Sequence, residues 1–197
     1  MADFTGIGDI GETLKKLLKD DPWTGISPKP EITFKSPKEI KDDGGTANTV
    51  SLFLYQILEN PHLKNEEGIR VNDAQLQVPP LVLDLFYLVT PYSEDKTQEK
   101  YILGKVMQIF YDHAILAGTV LQGSLAGADE ELRLVAHPLS LDDLTKIWSA
   151  FQEVAYRLSV AYLVTPVRID SARLTGMQRV VAKELPQALM ERKKRGG

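Results

Sequence analysis

The chain has no cysteine, which removes disulfides, thiolate metal ligands and cysteine nucleophiles together and suits a reducing compartment. Histidine is scarce: His62 follows Pro61, His113 closes a helical stretch and His137 precedes Pro138. None has a second ligand at a metal-binding spacing, so no metal site is expected. There is no Gly-x-x-x-x-Gly-Lys-Ser/Thr phosphate loop and no Gly-x-Ser-x-Gly nucleophile elbow. Gly6-x-Gly8-x-x-Gly11 has dinucleotide-loop spacing, but no strand precedes it. These glycines are read instead as positions where a neighbouring element approaches the first helix closely. With no catalytic constellation in view, no cofactor and no enzymatic activity are expected.

Positive charge in excess is also missing. A net charge of -4 and a pI near 5.5 argue against a general nucleic-acid binder. Long apolar runs are absent too. Leu81–Val89, interrupted by Asp84, and Leu158–Val164 fall short of the roughly 20 residues a bilayer span needs. The opening Met-Ala-Asp-Phe-Thr-Gly has no basic start and no apolar run, so a secretory leader is not expected.

What is present is ordinary globular composition, 43% hydrophobic and 25% charged over 197 residues, enough for one substantial core. Charge is unevenly placed: residues from Arg168 onward balance to +5, leaving -9 on residues 1–167. An acidic body with a basic tail suits head-to-tail self-association or an acidic partner. A solvated terminal helix gives the same pattern.

Ile7, Ile10, Leu14, Leu17 and Leu18 form a helical stripe that Pro22 ends. A short strand is expected at Glu31–Lys35 and a polar loop at Lys38–Asn48. A stronger strand is expected at Thr49–Leu58, then a polar connection to Pro79-Pro80. Leu81–Thr90 is apolar on both faces, as in a central strand covered on each side, and Pro91 is expected to close it. Ser93 suits an N-cap with Glu94 and Asp95 in the first turn, followed by a helix whose Tyr101, Ile102, Val106, Ile109 and Phe110 share a face. A short strand at Leu132–Ala136 is followed by a Ser140/Asp143 helix start with Leu144, Ile147, Trp148 and Phe151 at helical spacing. Tyr156–Ile169 reads as the longest strand.

The expected class is α/β (α+β): one mixed sheet of about five strands flanked by helices, spanning residues 1–171, with a basic arm or helix at 172–197. Leu83–Pro91 and Leu158–Pro166 agree at Leu, Tyr, Leu, Val, Thr and Pro. Either they are duplicated strands ending at one rim of the sheet, or central strands simply draw on few residue types.

Several segments together carry a family likeness: Ser51–Pro61, Pro79–Tyr92, Ile102–Gln108, Leu132–Leu134 with Pro138–Leu144, and Tyr156–Tyr162 with Arg168–Ser171. From about Phe4 to Ser171 the chain resembles the tail-terminator, or cap, proteins of extracellular phage-tail-like contractile injection systems. The resemblance implies a hexameric ring at the baseplate-distal end that stops growth of the inner tube and the contractile sheath. It implies itself, the inner-tube protein and the sheath protein as partners, and neither nucleic acid nor membrane. It places the protein in the cytoplasm during assembly and then in a released particle, with no catalytic residue to carry over. The other structural reading is a monomeric or dimeric adaptor or chaperone for another particle component.

Asp84, Arg168, Asp170, Arg173, Met177, Arg179, Val180 and Lys183 are the candidate assembly-interface residues. Asp84 is odd in an apolar strand, and pairing with a nearby arginine is expected. The others come from the charge asymmetry and from the candidate helical stripe Met177, Val180, Val181, Leu185, which Pro186 interrupts.

Overall fold

The computed structural model describes residues 3–43, 48–63, 69–72, 75–127 and 130–176. The chain divides into two compact units: Met1–Glu66 with Pro80–Asp170, and Glu67–Pro79 with Ser171–Gly197.

In the first unit, helix α1 (Gly6–Asp20) buries the stripe read from the sequence, with Ile10, Leu14 and Leu18 at 0% exposure. Its C-terminal end is sealed by Trp23, whose Nε1 donates to the Leu18 carbonyl at 2.9 Å. Strand β1 (Glu31–Thr33) follows, and then a short helix α2 (Pro37–Asp42) stands where a polar loop was expected. The reason is local: Ser36 and Glu39 form a reciprocal capping box and Pro37 occupies the first turn.

Strand β2 (Thr49–Glu59) leads to the second unit. There β3 (Ile69–Asn72), β4 (Gln75–Gln77) and a late strand, β9 (Leu174–Gly176), form a three-stranded sheet in the order β3-β4-β9. Two of these strands lie in the stretch read as a polar connection.

Back in the first unit, β5 (Leu81–Tyr92) is the longest strand and runs through Pro91 instead of stopping there. Helix α3 (Lys96–Asp112) is capped by the Asp95 side chain, not by Ser93. Ile102, Val106, Ile109 and Phe110 are buried, whereas Tyr101 is 59% exposed and lies off the expected face. After α3 come β6 (Ile115–Ala117), β7 (Glu131–His137), α4 (Leu141–Ser149) and β8 (Val160–Ile169). β8 begins later than the apolar pattern suggested. The preceding segment is held instead by Arg157, which stacks over the Tyr92 ring at 4.8 Å and reaches Glu99 at 2.5 Å. Burial pushes the Tyr92 hydroxyl up to about 12.

The main sheet is mixed and six-stranded, in the order β1-β2-β5-β8-β7-β6. It is the architecture expected, with β6 as the added strand. β1 runs parallel to β2 and the other pairs are antiparallel. Alternation gives each strand two faces. One packs Leu52, Leu85, Tyr87, Tyr162, Val164 and Leu134 into a single core with α1 and α3. The other carries an aromatic cluster in which Phe53 meets Phe151 and Phe86 meets His137, closed over by Trp148 of α4. This is why β5 reads apolar on both faces.

The two similar strands are direct neighbours, and Tyr87 of β5 pairs with Tyr162 of β8, its own counterpart. They are antiparallel, so Pro91 and Pro166 lie at opposite ends of the sheet. The reading of two strands ending at one rim is therefore corrected; the likeness follows from adjacent central strands filling the same two layers.

Candidate functional site

Asp84 sits half-buried in β5 at an irregularity in its pairing with β8 between Leu83 and Leu85. Its carboxylate accepts from Asn60 Nδ2 at 2.9 Å and from the Thr165 hydroxyl. Asn60 Oδ1 in turn accepts from the His62 and Leu63 amides at 3.0 and 3.1 Å. The described partners of Asp84 are thus neutral groups that secure the turn after β2, where an arginine was expected. Arg168 lies on β8 opposite Val82, and Asp170 follows the strand. Both act on the carboxyl of Glu130, which burial pushes up, with Arg168 opposing that shift and Asp170 adding to it. Arg173 belongs to the second unit, where its carbonyl accepts from the Val78 amide at 3.0 Å. Met177, Arg179, Val180 and Lys183 lie outside the described residues.

A surface missed by the sequence reading lies between the N-terminal half of α1 and the sheet at β2 and Tyr87 of β5. Phe4, Ile7, Gly8, Phe34, Leu52 and Leu54 help line an open apolar groove of about 700 Å³. Gly11 lets its floor close up, because a Cβ there would lie 3.2 Å from the Phe34 ring. The close-approach reading of the glycines thus holds at Gly11, whereas a Cβ at Gly8 would meet nothing within 4 Å. The Lys15 ammonium lies 4.8 Å from the centre of the Phe34 ring and 3.9 Å from Glu12 Oε1.

Among the described residues, the β1–β2 ladder consists of the pairs at Thr49, Val50 and Ser51, and farther along β2 Ile57 and Leu58 are 42% and 47% exposed. The β2 pairing with β5 is interrupted between Leu54 and Gln56.

A polar latch holds the α1 wall in place. Asp9 Oδ2 accepts from the Ser124 amide at 2.9 Å, the Ser124 hydroxyl at 2.7 Å and the Thr5 hydroxyl at 2.8 Å. The Thr13 hydroxyl donates to the Asp9 carbonyl at 2.7 Å and accepts from the Gln122 amide at 3.0 Å. An aspartate in the first turn of α1 was visible in the sequence; its partner a hundred residues away was not.

The Ser124 hydrogen bonds hold the Asp9 carboxyl below the ordinary carboxylate range. A depressed folded-state value gives stability that is present above the unfolded-state pKa and lost as pH falls through the folded one. Asp9→Ala should therefore lower Tm at neutral pH, and the gap from the parent should shrink as pH drops below about 4. Thermal melts across pH check this, and a pH-independent gap would refute it.

Among the described residues, no group of three His, Asp or Glu side chains is placed to hold a metal, and no helix is long and apolar enough to cross a membrane. The geometry is that of a binding surface, an open apolar groove between α1 and the sheet.

Residues 9–183 match the family described as the Pvc16 N-terminal domain. No curated protein matches the sequence. Among solved structures, the fold is similar to the PVC sheath/tube terminator of an extracellular contractile injection system in its extended state. That likeness has a TM-score of 0.61 and 22% identity, covering 97% of this chain and 72% of that one. It is also similar to the tube-terminating cap of the anti-feeding prophage, with a TM-score of 0.62 and 21% identity, covering 91% of this chain and 60% of that one.

Proposed function

Because the chain belongs to the Pvc16 N-terminal domain family, bearing out the resemblance read from its sequence, we propose that it is a structural cap of a contractile injection system. In this reading six copies form a ring at the baseplate-distal end and stop growth of both the inner tube and the contractile sheath. The observation that carries it is the fold likeness to a sheath/tube terminator over 97% of the chain.

The physics of termination agrees with the surface described. Tube and sheath lengthen because each layer presents what the next layer repeats, an open heterologous interface. A cap copies one side of that interface and lacks the other. The role asks for no reaction, and the partners are further copies, the inner-tube protein and the sheath protein. It places the chain in the cytoplasm during assembly and then in a released particle.

Electron microscopy of particles from producing cells with and without this chain tests the proposal. Over-long, ragged or collapsed tubes in its absence are expected. A uniform length distribution with intact distal ends would overturn the reading and leave an adaptor for another component.

A further inference from the structure

Helix α3 turns one face into the core, and its outer face is not simply polar. Tyr101, Met107 and Tyr111 are 59%, 41% and 83% exposed. Gly104 lies among them in the middle of the helix, where glycine weakens a helix relative to alanine. A Cβ there would meet nothing within 4 Å, so no contact among the described residues calls for a glycine. It opens a notch of about 390 Å³ that Thr24, Ile26, Tyr101 and Gln108 help line.

Charge on this face is placed against the helix. Lys96 and Lys105 have partners in Glu99 and Asp21, but among the described residues no ion pair engages Lys100 or Asp112. Asp112 is the last residue of α3, beside carbonyl dipoles that favour a cation, and no basic residue stands in that last turn.

We propose that this face is a self-association surface, on which α3 of a second copy lies antiparallel about a two-fold axis at the level of Val106. Lys100 and Asp112 stand six residues either side of Val106, Tyr101 and Tyr111 five, and Gly104 and Gln108 two. The axis therefore sets each Lys100 against the second copy's Asp112, each Tyr101 beside its Tyr111, and each Gly104 opposite its Gln108. Lys100 supplies the cation that the other helix end lacks, and the notch admits close approach. Such an isologous contact uses the same face on both copies and cannot propagate head to tail. It is thus distinct from the contact that closes a ring and goes beyond the ring reading. One helix face per copy falls short of the roughly 800 Å² that each partner of a standard interface buries, so a weak, concentration-dependent pair is expected.

Sedimentation velocity of the full chain across concentration tests this. Lys100→Asp and Asp112→Lys should each weaken association about tenfold, and the two together should restore it. Gly104→Leu fills the notch and should abolish the pair, with Tm in dilute solution at or above the parent's because the side chain enters open space. The chain has no cysteine, so register is read directly: Gly104→Cys mixed with Gln108→Cys should oxidise to a covalent pair faster than either variant alone. A monomer at all concentrations, or charge reversals without effect or without mutual rescue, overturns the proposal. A six-copy ring indifferent to these variants, with no preferred mixed cross-link, also overturns it and leaves the ring reading intact.

Discussion

Phe110→Ala is expected to lower the melting temperature by on the order of 10 °C, through a loss of about 3–5 kcal/mol. Phe110 is 1% exposed and meets the Tyr162 ring edge-on, with centroids 4.9 Å apart at 84°. It comes from α3 and lands on a central strand, so its removal leaves a cavity where helix layer and sheet meet. Dense packing prevents the surroundings from collapsing into that space. The neighbouring Tyr111 is 83% exposed, and Tyr111→Ala should stay within about 0.5 kcal/mol of the parent. Thermal melts of the two variants check the pair. A Phe110→Ala shift no larger than that of Tyr111→Ala would mean that this helix does not seal the core.

Gly123→Ala is expected to cost about 2–3 kcal/mol, from two separable sources. The first is backbone: Gly123 has φ +60°, the left-handed region that side chains disfavour. The second is contact: a Cβ there would lie 2.1 Å from Asp9 Oδ1, so the carboxylate must swing off the Ser124 amide and hydroxyl. Gly118 supplies the control, with φ +61° and nothing within 4 Å of its added Cβ. Gly118→Ala should cost only the backbone part, about 1 kcal/mol. In an Asp9→Ala background, the cost of Gly123→Ala should fall to that of Gly118→Ala. Denaturant titrations of the parent, the three single variants and the Asp9→Ala/Gly123→Ala double variant measure this, and an unchanged Gly123→Ala cost in that background would rule out the latch.

The shape of the apolar groove depends on the same latch. α1 forms one wall of the groove beside β2, and residues 122–124 strap its N-terminal half. Loosening the strap should therefore disturb this groove before it unfolds the sheet.

Much of the fold was legible because its signals are local. The α1 stripe, the doubly apolar β5 and the Ser140 cap of α4 each follow from a periodicity or a short hydrogen-bonding pattern within one segment. The capping box of α2 was equally local and was masked by the polar run around it. Tyr101 was misplaced because aromatic character alone does not say which side of a helix is covered.

By itself the sequence determined the class of the molecule. It specified a mixed sheet with a core on both faces, no recognisable reaction chemistry, and a family likeness spread over weak segments in a fixed order. Tertiary structure alone decided what the surface offers. Asp84 found Asn60 and Thr165 rather than an arginine, Asp9 found Ser124, and the β1–β2 ladder ended at Ser51. The physical reason is register. Side-chain periodicity tells which face of a strand is buried, but the partner at its edge, and how far that partner runs, depends on segments distant in the chain meeting in one alignment.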